Sequence, residues 1–478
     1  MFSIKSKKLL SILLVANFGI IIVLGILIIN KHTQLDDVSN NTPYVHSRVR
    51  DAFVSQHYNT PIQWSQNIGG SLDEQAIAIF EINDCYYIFG NSDSCDFDID
   101  VNGGFLAILN RNGGTIGFWT INPNLQVVQV ILYNNEYIIL QDGGDASNTV
   151  ALTRMDLSGK ILNTWYTTDY LPIHAKVVLH NGNIFDPNYI VVYSRSLGLV
   201  GNQLIILSLP SDLNTNMLPP TTIIDSPYGI DYLQAYYINY QLLVFANEGV
   251  PETVHTTAFL LRIGSSPTVF RLNGINGPGF AYETLQVQPI QNGFVLAVEA
   301  KSGFANGVLH LLTITFSLSQ APYFGYTSTL NTRMVGVNSV RIIANISGYY
   351  IFVSNGQGGN LFVLVNGTIQ SLQRILGLDR WIDIYNVVNI DFDNSLLVLA
   401  GTTSQGIAIT TLDNNTITSE MYFGGSMREH SPILLSSNGG MIVLSNTHSA
   451  TIDKQDGDVV RNFGGQDIWI FRIEYNTD

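Results

Sequence analysis

An apolar, strand-like segment recurs eight times along the chain, and this repeat limits the possible folds more than any other feature. The segments recur about every 45 to 56 residues, with turn-forming residues between them, at 86–89, 137–140, 189–192, 242–245, 294–297, 349–352, 396–399 and 441–444. That period is typical of β-propeller blades of four antiparallel strands. The sequence therefore predicts an all-β, eight-bladed β-propeller. A seven-bladed ring is the alternative, if one weak middle unit is an excursion.

The two ends of the repeat region complement each other. Within a unit, strand A precedes the apolar segment, the segment itself is strand B, and strands C and D follow after short turns. The last unit supplies A, B and C but stops after Ile473, so it lacks strand D. Residues 62–67 are the unassigned candidate. We expect this N-terminal strand to complete the last blade and close the ring, because an unpaired sheet edge would otherwise remain.

The same two ends resemble a repeat of bacterial surface and secreted proteins. One end reads Gly464-Gly465-Gln466-Asp467-Ile468-Trp469, and the other reads Trp64-Ser65-Gln66-Asn67-Ile68-Gly69-Gly70-Ser71. In that repeat a Gly-Gly-x-Asp-x-Trp strand is followed by a Trp strand and a Gly-Gly-Ser turn. Phe423-Gly424-Gly425-Ser426 resembles the same turn, and the similarity is lost between about residues 125 and 375. The resemblance implies a propeller ectodomain and no particular activity.

Residues 9–29 form an apolar run that is long enough to cross a bilayer as a helix. Lys5, Lys7 and Lys8 precede it and no acidic residue occurs before Asp36, which places the N-terminus in the cytoplasm. A cleaved signal peptide is the alternative, although no A-x-A-like site follows the run. Both interpretations export the rest of the chain. We therefore expect a cytoplasmic tip and transmembrane anchor at 1–30, a polar stalk at 31–60 and a propeller at 61–478, in a single-pass cell-membrane protein.

The charge balance limits the choice of partners. The chain carries 22 basic and 37 acidic residues, a net charge of −15. Three of the basic residues precede the apolar run and none of the acidic ones does, so the exported part carries −18. Such a surface repels phosphates, which argues against nucleic acid as a partner.

A calcium loop is one candidate site, in the stretch between strands B and C of the first unit. Asp98, Asp100, Asn102 and Gly103 match the opening of such a loop, and Asp96 stands two residues before it. The glutamate expected at the twelfth position is replaced by Leu109. The alternative is that this stretch is an ordinary B–C loop with one wet face. Ca²⁺ is thus a possible cofactor, and no other cofactor is indicated.

A second candidate site consists of acidic residues near the start of strand A in five units: Glu74, Asp231, Glu283, Asp383 and Glu429. Because the innermost strands of a propeller converge on its axis, these carboxylates could surround one mouth of the channel, with His430 beside them. The alternative is that each accepts backbone N–H bonds in the preceding turn. Other polar candidates on these strands are His174, Lys176, Gln234, Gln286, Arg341 and Asn386.

No catalytic motif accompanies these candidates: the sequence has no nucleophile elbow, phosphate loop, dinucleotide fingerprint or zinc-type histidine spacing. We therefore expect a membrane-anchored, extracytoplasmic propeller that binds a protein or glycan. The alternative is a carbohydrate-active hydrolase or lyase that uses two mouth carboxylates as acid and base. A purely structural spacer is a third interpretation.

Cys85 and Cys95 are the two cysteines of the chain. Export favours a disulfide. Their predicted positions at opposite ends of one strand oppose it, because bridged Cα atoms lie within about 7 Å. Both states stay open from the sequence.

Overall fold

The protein is described by a computed structural model that covers residues 62–474 with short interruptions. Outside the described residues lie 1–61, 95–101, 144–146, 181–187, 199–200, 215–218, 227–228, 239–240, 250–254, 262–267, 272–281, 291–292, 301–306, 318–322, 336, 338, 346–347, 356–358, 366–367, 375–380, 390–395, 404–405, 414–415, 426–428, 438–439, 449–450, 454–458, 462–464 and 475–478. The predicted anchor and stalk therefore fall outside the described residues. Within them, no helix combines the length and apolar character needed to cross a bilayer.

The described residues form eight antiparallel sheets in chain order, preceded by a single strand, β1 (Ile62–Ile68). The strands of the first four blades are β2 (Glu74–Ile82), β3 (Cys85–Ser92), β4 (Gly103–Asn110) and β5 (Thr115–Pro123); β6 (Gln126–Tyr133), β7 (Glu136–Asp142), β8 (Thr149–Asp156) and β9 (Ile161–Thr168); β10 (Ile173–His180), β11 (Asn188–Ser196), β12 (Asn202–Pro210) and β13 (Thr221–Ile224); and β14 (Ile230–Ile238), β15 (Gln241–Glu248), β16 (His255–Leu261) and β17 (Thr268–Arg271).

The second half continues the pattern. Its strands are β18 (Tyr282–Ile290), β19 (Gly293–Ala300), β20 (Val308–Ser317) and β21 (Tyr323–Val335); β22 (Ser339–Asn345), β23 (Gly348–Ser354), β24 (Gly359–Val365) and β25 (Thr368–Arg374); β26 (Trp381–Asn389), β27 (Leu396–Thr403), β28 (Gly406–Asp413) and β29 (Thr416–Gly425); and β30 (Glu429–Ser437), β31 (Gly440–Thr447), β32 (Thr451–Asp453), β33 (Val459–Arg461) and β34 (Asp467–Glu474).

These sheets close into an eight-bladed ring. The first strand of each blade lies beside the first strand of the next, and β30 of the last blade lies beside β2 of the first. Eight apolar clusters fill the eight interfaces between neighbouring blades. All eight predicted apolar segments lie on the second strand of a blade, where they are largely buried. The prediction of eight blades is confirmed, and the seven-bladed alternative is wrong.

The ring closes through both ends of the repeat region, as the sequence predicts. Blade 8 has the strand order β30-β31-β34-β1, and β1 pairs antiparallel with β34. Trp64 pairs with Arg472 and Asn67 pairs with Trp469 in this ladder. Trp469 and Arg472 are fully buried, and Arg472 donates a hydrogen bond to the hydroxyl of Tyr86 in blade 1, 2.7 Å away.

Glycines at this junction allow two chain segments to approach closely. A Cβ at Gly69 would overlap the carboxylate of Asp467, and a Cβ at Gly465 would overlap Asp73. The carboxylate of Asp73 also accepts the backbone N–H of Gln466, at 2.8 Å. Gly69 and Gly465 are thus needed where β1 turns into blade 1 and where β34 begins.

A tryptophan on the outer strand of one blade packs over a turn glycine of the next blade. Trp64 lies against Gly113 and donates its indole N–H to the carbonyl of Arg111 at 3.0 Å. Trp119 lies against Gly159 in the same way, one blade further on. Both glycines have positive φ angles, +81° and +86°, which favour glycine over other residues. The join between the ends therefore reproduces a contact made between ordinary blades.

Two features depart from simple four-stranded blades. The loop between β31 and β34 contains the hairpin β32–β33, which pairs with Gly424 and Gly425 of β29 and extends blade 7 to six strands. Cys85, at the start of β3, is partly exposed and forms no disulfide with a described residue. Cys95 lies outside the described residues.

Candidate functional site at the channel mouth

A β-bulge recurs at one level of the innermost strands. In six blades one residue of the first strand at this level has no partner on the second strand, and in blade 8 two residues lack one. The unpaired residues are Ile77, Val128, Lys176, Leu233, Leu285, Tyr385 and the pair Ser431 and Pro432. Blade 7 has a further unpaired residue, Ile382, nearer the start of its first strand. Blade 6 pairs without an interruption. Such bulges bend a strand and redirect the side chains that follow.

The bulge defines a ring of eight polar residues, which we call the mouth ring. Its members pair with equivalent positions of the second strands. They lie two residues before the bulge in six blades, one residue before it in blade 8 and at the corresponding position in blade 6, which has no bulge: Gln75, Gln126, His174, Asp231, Glu283, Ser339, Asp383 and His430. All eight blades place a polar residue at this level. Because these strands line the axis and the ring lies where they begin, its members surround one mouth of the central channel.

Members of the mouth ring are accessible to solvent. Gln75, Gln126 and Asp231 are exposed, while His174 and Glu283 are half-buried. The side chains of Asp383 and His430 are not among the described ones. Solvent that reaches an innermost strand is the solvent of the channel and its mouth, so these groups line that space.

The ring is chemically asymmetric. Its carboxylates lie in blades 4, 5 and 7, and its two glutamines lie in blades 1 and 2, flanked by the histidines of blades 3 and 8. Tyr170 stands on the loop that leads into the strand of His174, and it is 86% exposed. Amides, imidazoles and carboxylates can donate to or accept from hydroxyl groups, and an exposed aromatic ring can pack on the apolar face of a sugar.

The second strands carry polar side chains at the positions that pair with ring members, and these side chains form hydrogen bonds with the backbone of the next blade. Asn91 accepts the backbone N–H of Val127 in the next blade and donates to its carbonyl at 2.9 Å. Asn247 makes the same two bonds with Thr284, at 3.1 and 3.0 Å. These side chains are buried. They bond to the residue just before the bulge of the neighbouring blade.

Two carboxamide or carboxylate groups continue this pattern with single bonds. Asp142 accepts the backbone N–H of Ala175 at 2.8 Å, and Asn446 accepts that of Ala76 at 3.0 Å. In blade 6 the role falls to a mouth-ring residue, since the Ser339 hydroxyl accepts the N–H of Ile384 at 2.9 Å. The inner polar residues of this protein therefore include blade-joining groups and solvent-accessible ring members, and Ser339 belongs to both sets.

Two ring members lie near polar side chains of the preceding blade. The Nδ1 atom of His174 lies 3.6 Å from the carboxylate of Asp142. Asn202 donates to Asp231 across 3.4 Å, a long hydrogen bond. Because Asp231 is exposed and only weakly engaged, its carboxylate is well placed to accept from a ligand.

Glu74, one of the sequence-predicted site residues, is not a member of the mouth ring. It is fully buried, and its carboxylate accepts bonds from the Gly70 N–H at 2.8 Å and from the hydroxyls of Ser92 and Ser94 at 2.8 and 2.5 Å. This is the turn-holding arrangement that the sequence left open. Glu74 presents no exposed oxygen to a ligand.

Glu429 occupies the register position of Glu74, one residue before the ring, and pairs with Thr447. Asp383 and His430 do occupy ring positions, paired with Thr402 and Asn446. For these three the backbone is described and the side chain is not. Their proposed contacts with a ligand stay predictions.

The remaining polar candidates lie after the ring positions on the innermost strands, and they differ in exposure and in contacts. Gln234 is exposed on β14. Arg341 donates to the carbonyl of Tyr385 in the next blade at 2.9 Å, which joins blades 6 and 7. Gln286 is half-buried, as is the bulge residue Lys176. Asn386 pairs with Ala400 on the backbone.

The structure does not test the predicted calcium loop. Asp96, Asp98 and Asp100 lie outside the described residues, and the carbonyl of Asn102 accepts the N–H of Asn124 at 2.8 Å. Among the described residues, no cluster of three or more His, Cys, Asp or Glu side chains could hold a metal ion. Calcium binding stays a prediction.

Sequence reasoning grouped Glu74 and Glu429 with true ring members and missed Gln75, Gln126 and Ser339. The difference is one residue of register, which decides whether a side chain faces the channel or the preceding turn. A usable signal does exist. The blade-joining asparagines and Asp142 stand two residues after the apolar segments of strand B, and each pairs with a ring member.

Comparisons with known proteins identify no family for this chain. No family model matches the chain, and no curated protein matches it. Similar solved structures include a prolyl endopeptidase (10% identity, TM-score 0.41, covering 88% of this chain and 57% of that one). The WD40 domain of SCAP from fission yeast is 8% identical, with a TM-score of 0.44 over 86% of this chain and 98% of that one.

A third similar structure is dihydro-heme d1 dehydrogenase NirN (10% identity, TM-score 0.47, 78% of this chain and 71% of that one). The chain thus spans 57% of the length of the prolyl endopeptidase. At these identities and scores none of the three informs the activity, and the propeller assignment rests on the strand topology described above.

Proposed function

We propose that this protein is a membrane-anchored, extracytoplasmic propeller that binds a glycan at its channel mouth. The observation that carries the proposal is the mouth ring, in which all eight blades present a polar residue at one level. Three of its members, Gln75, Gln126 and Asp231, are exposed. Mixed amide, imidazole and carboxylate groups suit a ligand rich in hydroxyls.

The surroundings of the ring support a sugar as the ligand. Tyr170 offers a nearly fully exposed aromatic ring on the loop that leads into the strand of His174. The polar groups behind the ring are bonded to the next blade, so the ring rests on a rigid frame. A pre-organised site loses less conformational entropy when it binds.

The anchor and the location belong to the same proposal. The apolar run at 9–29 follows three lysines, and the terminal segments resemble repeats of bacterial surface and secreted proteins. Carbonate extraction of membranes tests the anchor, and protease treatment of intact cells tests the orientation. Recovery of the chain in the carbonate supernatant, or with its N-terminus removed near residue 30, would contradict the anchored form.

A glycan array probed with the purified chain tests the binding function. For a glycan that binds, the double variant Asp231→Asn with Glu283→Gln should bind at least about tenfold more weakly, because hydrogen bonds to charged groups contribute about 1.5–3 kcal/mol each. Asp84→Asn is the matched control, since it removes a carboxylate from the opposite face. It should leave affinity unchanged. If the double variant binds the glycan as tightly as the control variant does, these two ring carboxylates do not contribute to glycan binding.

The same binding assay separates the alternatives left by the sequence. If a bound glycan is shortened over time, and Asp231→Asn abolishes the shortening, the protein is a hydrolase or lyase. If no glycan binds while a surface protein does, and ring variants reduce that binding, the ligand is a protein.

A further inference from the structure

We propose that Tyr170 is the platform on which a sugar ring of the bound glycan stacks, and that Arg195 positions it; both roles rest on the glycan-binding function proposed above. They narrow the ligand to β-linked oligosaccharides whose ring substituents are equatorial, as in glucose or N-acetylglucosamine. Tyr170 belongs to the loop 169–172, which joins the outer strand of blade 2, β9, to the innermost strand of blade 3, β10.

Tyr170 lies on the face of the ring that carries the channel mouth. Its loop runs directly into β10, and the second residue of that strand is His174 of the mouth ring. Because Tyr170 precedes His174 by four positions, the Cα atoms of the two residues are at most about 14 Å apart. Tyr170 is thus within reach of a short oligosaccharide that is bound at the mouth ring.

The side chain of Tyr170 is presented to solvent. It is 86% exposed, and it makes no hydrogen bond or ring contact with the residues that the structure describes. Tyr166, which is also exposed, differs because its hydroxyl donates to Asn122 at 2.9 Å. Exposure alone is common at a protein surface, but the backbone that carries Tyr170 is held unusually firmly.

Hydrogen bonds fix the backbone on both sides of Tyr170. Before it, the N–H of Asp169 donates to the carbonyl of Asn148 at 3.2 Å. After it, the carbonyl of Pro172 accepts the N–H of Ser196 at 2.8 Å. The ring of Pro172 also fixes its own φ angle. The loop therefore has little conformational freedom at either end.

Arg195 fixes the same loop through Asp169. Its Nη1 atom donates to one oxygen of the Asp169 carboxylate at 3.2 Å, and the other oxygen accepts the N–H of Leu171 at 3.2 Å. The Nε and Nη2 atoms of Arg195 donate to the side-chain oxygen of Gln203 at 3.0 and 2.5 Å. The Arg195 and Asp169 side chains are only 21% and 15% exposed, so salt and water screen this pair less than a surface pair. Arg195 thus acts on the turn that presents Tyr170.

A fixed aromatic ring favours sugars with an unbroken apolar face. In β-linked glucose and N-acetylglucosamine the ring substituents are equatorial, so the axial C–H groups form such a face, which an axial hydroxyl would interrupt. Because the turn is held before binding, stacking costs little additional conformational entropy. The amide and carboxylate groups of the mouth ring can meanwhile form hydrogen bonds with the hydroxyls of the adjoining sugar unit.

Calorimetric titration of the full-length chain with cellotetraose and with chitotetraose tests the platform. At least one of them should bind. Tyr170→Ala should weaken that binding at least about fivefold, whereas Tyr170→Phe should keep it within about twofold because the stacking surface remains. Tyr166→Ala is the control, since it removes another exposed tyrosine, 52% exposed on β9, and should leave the affinity unchanged. Unchanged affinity in Tyr170→Ala, or no binding of either tetrasaccharide, would overturn the proposal.

A double-mutant cycle tests the positioning role of Arg195. Arg195→Met should weaken tetrasaccharide binding in the otherwise unaltered chain and should have no further effect in the Tyr170→Ala background, because the two residues act as one unit. Asp169→Asn, which weakens the same ion pair, should behave alike. Equal losses of affinity in both backgrounds would show that Arg195 does not act through Tyr170, and would overturn its positioning role.

The mouth-ring double variant, Asp231→Asn with Glu283→Gln, separates this proposal from the proposed function. If that variant loses binding to a glycan while Tyr170→Ala keeps it, the glycan site stands and the stacking platform is wrong. If no glycan binds to the unaltered chain, both are wrong.

Discussion

At the scale of residues, a shift of one position decides whether an acidic side chain serves the fold or the channel. Glu74 and Asp231 both lie near the start of an innermost strand. Yet Glu74 is buried under three hydrogen-bond donors, while Asp231 is exposed in the mouth ring. Because successive side chains of a strand point to opposite sides, residue type alone could not separate the two.

Replacement of Glu74 by glutamine tests its structural role. The amide cannot accept all three bonds without presenting its NH₂ group to a donor, so the free energy of unfolding should fall by about 1–3 kcal/mol. Chemical denaturation measures the change. Asp84→Asn, at an exposed turn, is the control and should have little effect. If Glu74→Gln is equally neutral, the carboxylate does not hold the turn.

His180 provides a residue-scale prediction on pH. Its ring stacks on Tyr133 with centroids 3.8 Å apart, and burial lowers the pKa of His180 below its ordinary value of 6.5. Burial also lowers the pKa of His310. The unfolded chain therefore binds more protons near pH 6. This contribution to stability is complete above about pH 6.5 and is lost as pH falls through the lower pKa values of the folded state.

The His180→Phe variant should keep the stacking and lose that titration. We expect the melting temperature of the unaltered protein to fall between pH 7.5 and pH 5.5, and that of the variant to fall less. Melting curves recorded across this range measure both slopes. Parallel slopes would show that His180 does not contribute.

At the scale of elements, the bulge and the asparagine of the preceding blade form one device. The bulge interrupts pairing within a blade, and the buried Asn91 or Asn247 supplies both a donor and an acceptor to the neighbouring backbone. Sequence analysis found the strands, because their apolar segments repeat. It missed this device, because an asparagine two residues beyond an apolar segment is also an ordinary turn residue, and only its recurrence in several blades distinguishes it.

Asn91→Asp tests the device. The carboxylate would replace an N–H donor that faces the carbonyl of Val127, so we expect a loss of about 3 kcal/mol at pH 7. Asn247→Asp, the equivalent change in blade 4, should behave alike. Because burial raises the pKa of the new carboxyl, the loss should shrink as pH falls toward 5. Denaturation at both pH values measures this difference, and a pH-independent loss would contradict the explanation.

At the scale of the whole molecule, stability depends on completing the circle. Eight apolar interfaces are filled, and the interface between blades 8 and 1 includes Ile68 from the N-terminal strand and Ile470 from the C-terminal one. This much was predictable, because the last unit lacks a strand and the first has one to spare. The hairpin β32–β33 was not, because three-residue strands leave no periodic signal.

Two fragments test the closure. One begins at Ile62 and keeps β1, whereas the other begins at Gly69 and lacks it. The shorter fragment leaves β34 unpaired on its outer side and removes Trp64 from Gly113 and Ile68 from the core. Its melting temperature should be lower by several degrees, because the loss of a whole strand costs several kcal/mol, and about 1 kcal/mol shifts a domain of 150–250 residues by about 2–4 °C and a larger one by less. Equal melting temperatures would mean that the circle does not depend on β1.

The pairing of β1 with β34 also determines when folding can be completed during protein synthesis. Ile68 meets Ile468, which the ribosome adds about 400 residues later. At about 5–20 residues per second, the first strand waits roughly 20 to 80 seconds for its partner. During that interval Trp64 and Ile68 have no finished sheet to join, so the nascent chain must be shielded until its final strand emerges.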